Sequence, residues 1–333
     1  MSIPAERWLR TTPAGLFCEP GGFHIDPTRA VDRAVITHGH SDHARSGHAA
    51  VLATAGTLAI MRQRYGDAAG MQAADYGERI AVGGVAVTLA PAGHVLGSAQ
   101  VVLEYGGQRV VVSGDYKRRR DPTCAPFEPQ PCDVFVTEAT FGLPVFRHPP
   151  DSGEIGRLLH SVRLYPERCH VVGVYALGKC QRVLALLREA GWDAPIYLHG
   201  ALAALTELYE SLGVALGPVL PVAGVERDAL KGQIVLAPPS AGADRWSRRL
   251  PDPVVAMASG WMRVKQRAKA RGIELPLVIS DHADWDELTG TITGLGAGEI
   301  WVTHGNEEAL VYYATQAGLK ARPLALVGYD DEE

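Results

Sequence analysis

Three histidines and a carboxylate, His38, His40, Asp42 and His43, fall within six positions of the sequence, directly after the apolar run Ala34 to Ile36. Imidazole and carboxylate together suit Zn²⁺, Mn²⁺ or iron, and a tight loop can direct alternate side chains at two neighbouring metals. A chance cluster of surface histidines is the alternative, but the HxHxDH spacing is too restrictive to favour it. We therefore predict a metal centre in the loop that follows this strand.

Three further candidate ligands also come just past apolar runs. His94 lies in Pro-Ala-Gly-His, Asp115 follows Val110 to Ser113, and His304 follows Ile300 to Thr303. Each of them alone is better explained as a structural residue. With the first cluster they make five histidines and two aspartates, enough to hold two metals with room for a bridging water. We expect two divalent metal ions per chain, Zn²⁺ or Mn²⁺.

Short β-type runs dominate the first 140 residues, and helices alternate with strands afterwards. The early strands are expected at Gly22 to Asp26, Ala34 to Thr37, Ala50 to Ala53 and Ile80 to Ala90, followed by a hairpin of Gln100 to Tyr105 and Arg109 to Ser113 that turns at Gly106-Gly107. From Pro149 onward we expect the strands Cys169 to Tyr175, Ile196 to Leu198 and Ile234 to Ala237, with helices Lys179 to Ala190 and Ala201 to Leu212. Such βαβ units predict parallel strands. After Arg271 we expect strands at Leu277 to Ser280 and Glu299 to Thr303, helices at Asp284 to Gly294 and Glu307 to Ala317, and a last apolar run, Leu324 to Val327.

The composition fits an enzyme-sized globular chain. Of 333 residues, 47% are hydrophobic and 21% charged, which excludes a disordered or low-complexity protein. No apolar run approaches the roughly 20 residues of a membrane span, and no signal peptide is apparent. The five cysteines contain no CxxC pair, so we expect neither a disulfide framework nor a thiolate metal site, and we expect a cytoplasmic protein.

The net charge is −5, so a polyanionic partner has to be met by a local basic surface. Basic residues do cluster, at positions 117–120 and again at positions 263–271. A solvated helix face is the ordinary explanation of such runs.

The order of the candidate ligands along the chain resembles the metallo-β-lactamase superfamily. The resemblance implies an α/β fold, an αββα sandwich of two β-sheets flanked by helices. It also implies a ligand assignment, in which one metal is held by His38, His40 and His94, the other by Asp42, His43 and His304, and both by the bridging Asp115. Asp26 matches an early aspartate of the superfamily that would orient the histidine loop. A simple Asp-Pro turn is the alternative for Asp26.

Three later motifs resemble the β-CASP nucleases within that superfamily. The first is the run Asp133 to Gly142, in which a strand with Glu138 near its end leads into Ala-Thr-Phe-Gly. The second, Tyr175 to Gln181, is similar to the turn into the first helix of their inserted domain, and the third, Ser280 to Asp284, is similar to their Ser-x-His-x-Asp motif. The resemblance implies an inserted α/β β-CASP domain. We expect residues 1–148 and 273–333 to form the metallo-β-lactamase domain and residues 149–272 the insert. The β-CASP group acts on nucleic acids.

Within that group, the sequence most resembles the bacterial ligase-associated DNA exonucleases, which are also described as mRNA 3′-end processing factor homologues. The resemblance lies in Gly15 to Cys18, Ile25 to Pro27, Ala258 to Met262 and the Ser-Asp-His-Ala-Asp-Trp form of the later motif. The resemblance implies a DNA exonuclease of repair with a DNA ligase and a helicase as partners in the same pathway, and no membrane. Asp281 departs from the RNA-cleaving members, which usually carry Ala before the histidine. An RNA-processing endo- or exoribonuclease is the alternative substrate class. A non-catalytic nucleic-acid-binding subunit and a small-molecule metallohydrolase are the alternatives of other classes.

Phosphodiester hydrolysis also needs a proton donor for the leaving oxygen. His282 is our candidate general acid, oriented by Glu138, and Asp42 counts both as a ligand and as a catalytic residue. A metal ligand or a polar residue at a helix start is the alternative for His282. Phosphate-binding residues are expected at the start of a helix that carries a basic face, namely Ser259, Gly260, Arg263, Lys265 and Arg267. An ordinary N-cap is an equally good explanation of Ser259.

Overall fold

The computed structural model describes residues 2–243, 246–324 and 326. They form two compact units, one from the described parts of Met1–Val145 and His282–Glu332, the other from Phe146–Asp281. The domain boundaries expected from the sequence stay a prediction. Among the described residues, no helix is long and apolar enough to cross a membrane.

Strands and helices are numbered along the chain. The strands are β1 (Leu9–Thr12), β2 (Gly15–Cys18), β3 (Phe23–Ile25), β4 (Arg33–Val35), β5 (Ala50–Ala53), β6 (Met71–Ala73), β7 (Arg79–Val82), β8 (Val85–Pro91), β9 (Ala99–Tyr105), β10 (Gln108–Val112), β11 (Val134–Ala139), β12 (His170–Gly173), β13 (Ile196–Leu198), β14 (Val219–Pro221), β15 (Ile234–Ala237), β16 (Val254–Ala258), β17 (Leu275–Leu277), β18 (Glu299–Gly305) and β19 (Lys320–Pro323). The α-helices are α1 (Ala55–Tyr65), α2 (Asp151–Leu164), α3 (Lys179–Glu189), α4 (Ala203–Ser211), α5 (Lys265–Ala270), α6 (Trp285–Gly294) and α7 (Glu307–Gln316).

The first unit is a four-layer sandwich. One sheet has the order β1-β2-β3-β4-β5-β6 and the other β19-β18-β11-β10-β9-β8-β7. Alternate residues of a strand face opposite sides of its sheet, so Val101 and Leu103 join the core between the sheets while Val102 packs beneath α6 and α7. On the far side of the first sheet, Ile36 packs with Leu58 of α1. The expected αββα sandwich is therefore confirmed.

Two features of the first unit differ from the sequence expectation. The hairpin of β9 and β10 is confirmed, but the single strand expected at Ile80 to Ala90 is a second hairpin, β7 and β8. Its turn contains Gly83 at φ 59°, where a Cβ would lie 2.5 Å from the Pro20 carbonyl oxygen. Helix α1 was not predicted, although Thr54 accepts the Thr57 N–H as an N-cap. The run Leu324 to Val327 lies partly outside the described residues and follows β19.

The second unit is built on a six-stranded sheet of order β14-β13-β15-β12-β16-β17, and its recorded strand pairs are all parallel. The expected parallel α/β insert is confirmed in this respect, whereas α2 was not predicted. The strand expected at Leu277 to Ser280 ends at Leu277 because Glu154 takes the N–H of Val278 at 2.7 Å. The helix expected from Ser259 is a 3-10 turn, Gly260–Arg263, separated from α5 by the extended backbone of Val264.

Candidate metal centre

The candidate ligands meet at one edge of the second sheet of the first unit. Strands β10, β11 and β18 run parallel, and β8 runs in the same direction because two antiparallel pairings connect it to β10. Carboxyl ends of parallel strands share an edge, so Asp115, Glu138, His94 and His304 all come from this edge. His304 was expected just after its strand and is instead part of β18.

One group of donor atoms comes from three histidines. His40 Nδ1 lies 3.1 Å from His38 Nε2 and 3.0 Å from His94 Nε2, and Asp115 Oδ2 lies 3.5 Å from His38 Nε2. Four ligands about 2.0–2.1 Å from a tetrahedral zinc ion are roughly 3.3 Å from one another. The spacing of these atoms is that of a first coordination sphere.

A second group of donor atoms also includes Asp115. His43 Nε2 is 3.4 Å from Asp115 Oδ2 and 3.4 Å from Asp42 Oδ2. His304 Nδ1 is 3.7 Å from Asp115 Oδ1. Asp115 is therefore the carboxylate common to both groups, which are buried clusters consistent with a dinuclear metal site.

The chemistry of this donor set fits bound cations. Asp42 Oδ1 and Asp115 Oδ1 are buried and accept no hydrogen bond from the described part of the chain, an arrangement that is costly without a cation. Burial raises the pKa of Asp115, but the positive charge of His43 and the contact with His304 outweigh burial and hold it well below its usual value. Burial lowers the pKa of His38 well below its usual value, so His38 presents a neutral imidazole, the form that binds metals.

Asp26 stabilises the histidine loop through hydrogen bonds. Its Oδ1 accepts the Thr37 N–H at 2.7 Å and its Oδ2 accepts the Thr37 hydroxyl at 2.6 Å. His43 Nδ1 lies 2.8 Å from Asp26 Oδ2, and because a carboxylate only accepts, this nitrogen carries a proton. Burial lowers the pKa of His43, but the neighbouring carboxylates outweigh burial and raise it well above its usual value, so a metal at Nε2 would take the place of the second ring proton. Asp26 has a φ of 43°, a strained backbone that the surrounding contacts must stabilise.

Thr37 is a site residue that sequence reasoning missed. Its hydroxyl proton goes to Asp26, so it accepts from His38 Nδ1 at 3.0 Å. This contact leaves His38 Nε2 unprotonated toward Asp115. The only signal in the sequence is the position of Thr37 directly before the first histidine.

His282 and Glu138 lie beside the two donor groups. His282 Nδ1 is 2.9 Å from Glu138 Oε2, and the His282 ring centroid is 4.6 Å from that of His94. The other oxygen of Glu138 accepts the Tyr116 N–H at 2.8 Å, and the Tyr116 carbonyl accepts the Ala283 N–H at 2.7 Å. Asp115, Glu138 and His282 also come close enough together to hold a metal, so the ligand alternative for His282 stays open. His282 does not cap α6, because Asp284 does.

The basic run at 117–120 has a structural role in the first unit. Arg119 forms an ion pair with Asp284 and lies 3.5 Å from Glu287, and Arg118 donates to the Thr291 hydroxyl at 3.0 Å. These contacts hold the first turn of α6 and, through Thr291, its second half; the helix begins three residues after His282. The run is therefore not simply a solvated face.

The expected phosphate-binding residues belong to the second unit. Ser259 is buried and its hydroxyl accepts the Trp261 N–H at 3.2 Å, which is the contact of an ordinary N-cap. Gly260 is also buried, whereas Arg263, Lys265 and Arg267 are exposed, and the Arg267 guanidinium lies 4.0 Å from the centre of the Trp261 ring. All five candidates therefore lie on one short segment, and their phosphate-binding role stays a prediction.

Asp281 takes part in a buried ion pair of the second unit. Its Oδ2 lies 3.2 Å from Lys179 Nζ, and Lys179 also donates to the Ile279 carbonyl at 3.0 Å. Arg182 lies 3.7 Å from Asp281 Oδ1. These contacts fix the chain up to the residue before His282.

The fold and the buried cluster define an α/β protein with a metallo-β-lactamase domain and an additional parallel sheet consistent with a β-CASP insertion. Residues 27–169 match the model of the Metallo-beta-lactamase superfamily. A protein of unknown function from Enterococcus faecalis V583 has the same fold, with a TM-score of 0.61 over 89% of this chain and 80% of that chain at 14% identity.

Curated relatives are similar over parts of their own length. A "Probable DNA ligase" of Opitutus terrae is 29% identical over 92% of this chain and 30% of that protein. The cleavage and polyadenylation specificity factor subunit 3 of Dictyostelium discoideum is 35% identical over 38% of this chain and 18% of that protein. "Endoribonuclease YSH1" of Saccharomyces cerevisiae is 31% identical over 40% of this chain and 18% of that protein. The chain therefore spans less than a third of the length of each of these relatives.

Proposed function

We propose that the protein is a metal-dependent nuclease that hydrolyses phosphodiester bonds in DNA, as an exonuclease of repair. The observation that carries the proposal is the pair of donor groups that share Asp115, with His282 beside them. His38, His40, His94 and Asp115 would hold one metal, and His43, His304 and Asp115 the other, with Asp42, whose Oδ2 lies 3.4 Å from His43 Nε2, as a further ligand of the second. When bound, two divalent ions would supply a water nucleophile at neutral pH and offset the charge that develops on the phosphate.

The residues of the chain supply orientation and a proton. Asp26 and Thr37 keep the ring protons of His43 and His38 on the nitrogens that face away from the cluster. Glu138 accepts from His282 Nδ1–H, which makes His282 Nε2 the atom that gives a proton to the leaving oxygen. Tyr116 in turn positions Glu138 through its backbone N–H.

The support for DNA comes from the extent of the similarities. The relative named as a probable DNA ligase is similar over 92% of this chain, whereas the subunit 3 and YSH1 similarities cover 34–40%. A DNA ligase is accordingly the partner that we propose for the same pathway. RNA is the second candidate substrate because two of the relatives are named for RNA cleavage or polyadenylation.

The test uses the purified full chain and strands labelled at the 5′ or the 3′ end. Single-stranded DNA, duplex DNA and RNA are incubated with Mn²⁺, with Zn²⁺ or with a chelator. We expect metal-dependent shortening of DNA from one end, which Asp115→Asn abolishes. Faster cleavage of RNA would transfer the proposal to RNA, and binding of strands without any cleavage would favour a non-catalytic subunit.

A further inference from the structure

A groove in the first unit borders the metal centre. It encloses about 500 Å³, and its wall includes Arg29, Ser41, Asp42, Arg45, Ser46 and Tyr65. Asp42 connects the groove to the metal centre, since its Oδ2 lies 3.4 Å from His43 Nε2. The groove therefore begins at a residue of the cluster itself and is lined by groups for which the proposed chemistry has no other use.

The charge of this groove favours an anion. Two guanidinium groups, Arg29 and Arg45, and the hydroxyls of Ser41 and Ser46 line it. Asp42 is its one lining carboxylate among the described residues, and Asp42 is assigned to the metals. Arginine and hydroxyl groups are among the side chains that commonly contact phosphate oxygens, and such contacts carry no sequence information.

An apolar pocket continues from the groove. It encloses about 160 Å³ and shares Arg45, Ser46 and Tyr65 with the groove, while Val51, Met61 and Met71 supply its apolar wall. Tyr65, the last residue of α1, is 42% exposed. An exposed aromatic ring between a basic groove and an apolar pocket is a platform on which a base of any sequence can stack.

We propose that this groove and pocket form a nucleotide subsite for the DNA strand next to the scissile phosphate. Arg29 and Arg45 bind the adjacent phosphate, and Tyr65 stacks on the base that enters the pocket. These contacts do not depend on the base sequence of the strand. The inference rests on the proposed nuclease function and gives it a substrate contact that lies wholly within the first unit.

The test measures binding of a fluorescent single-stranded DNA to the full chain in chelator, so that nothing is cleaved. The comparison strand carries abasic sites, which keep the phosphates and remove the bases. Tyr65→Leu should weaken binding of the normal strand about tenfold and leave the abasic strand unchanged. Tyr65→Phe, which keeps the ring, should bind both strands like the wild type.

Arg45→Ala should weaken binding of both strands and lower the salt dependence of log K by about 0.7, the value of one phosphate contact on a single strand. Arg45→Lys should retain that salt dependence. Arg7→Ala removes an exposed arginine from the same unit outside the groove and should bind like the wild type. With metal present, Tyr65→Leu should raise KM and leave kcat nearly unchanged.

The inference is overturned if Tyr65→Leu binds both strands like the wild type or weakens both equally, or if Arg45→Ala keeps the affinity and salt dependence of the wild type. If these results come with normal metal-dependent cleavage, the nucleotide subsite is wrong and the proposed nuclease function is unaffected. If the wild-type chain neither binds nor cleaves nucleic acid, the proposed function fails and the subsite fails with it.

Discussion

Glu138 Oε2 lies 2.9 Å from His282 Nδ1, although the two residues are 144 positions apart. The other oxygen of the same carboxylate accepts the N–H of Tyr116, the neighbour of Asp115. One buried carboxylate thus contacts both the candidate proton donor and the segment that carries the shared ligand. Any change at Glu138 should therefore affect proton transfer more than metal binding, because its hydrogen bonds go to His282 and to the Tyr116 backbone rather than to Asp115.

His282→Ala should keep both metals and the affinity for DNA but lose about 10² to 10⁴ in rate, the usual contribution of one positioned proton donor. When the leaving oxygen of the substrate is replaced by sulfur, the leaving group departs as a thiolate and needs no proton. The variant should recover most of its rate on that substrate, measured with Mn²⁺, which tolerates sulfur better than Mg²⁺.

Glu138→Gln should show the same behaviour more weakly, because it disturbs the orientation of His282 without removing the imidazole. If His282→Ala instead loses a metal, or is equally slow on oxygen and sulfur substrates, His282 is a ligand or a phosphate-positioning residue.

Asp115→Asn should deplete both metals together, because its carboxylate belongs to both donor groups. His304→Ala should chiefly deplete one. Elemental analysis after loading with excess Zn²⁺ measures the difference, and His160→Ala, an exposed histidine of the other unit, is the control that should retain both. One metal or fewer in the wild-type chain would contradict the dinuclear assignment.

Thr37→Val should lower metal affinity about 10- to 100-fold, since it removes the hydroxyl that Asp26 and His38 share while keeping the shape of the side chain. Competition with a chelating dye measures the affinity. Thr11→Val, an exposed threonine of β1, is the matched control. Equal metal affinity in Thr37→Val and the wild type would show that the hydroxyl does not set the histidine tautomers.

Stability of the second unit should fall in acid because of His170. Burial, and after it the charge of Arg168, lowers the pKa of His170 from 6.5 to about 4, while Ser161 Oγ lies 2.9 Å from its Nε2. The unfolded chain then gains this proton near pH 6.5 and the folded chain only near pH 4. The stabilisation is fully present above pH 6.5 and is lost as the pH falls toward 4, by at most about 3 kcal/mol.

Denaturant unfolding between pH 7 and 4 measures this dependence. His170→Asn should make the pH slope shallower, whereas His160→Asn should keep it. The same slope in His170→Asn and the wild type would assign the acid sensitivity to other groups.

The sequence alone determined the features that depend on short-range spacing. His38, His40, Asp42 and His43 were recognisable as a metal motif because six consecutive positions on one loop cannot be far apart. The parallel sheet was predictable because the order of strands and helices along the chain is a local pattern. The αββα sandwich was expected only because the order of the candidate ligands resembles the metallo-β-lactamase superfamily. The β9–β10 hairpin had its turn marked by two glycines, Gly106 and Gly107.

Only the tertiary structure decided the contacts between residues that are distant in sequence. Three such relationships have no signature in the local sequence. They are the Tyr116 backbone that connects Glu138 with Ala283, the ion pair of Arg119 with Asp284, and the junction of groove and pocket at Tyr65. Helix α1 was missed because its burial depends on packing against the first sheet rather than on a strong apolar stripe. These relationships arise when strand ends from separate parts of the chain are brought to one edge by burial of the core, and that packing decides which neighbours a side chain has.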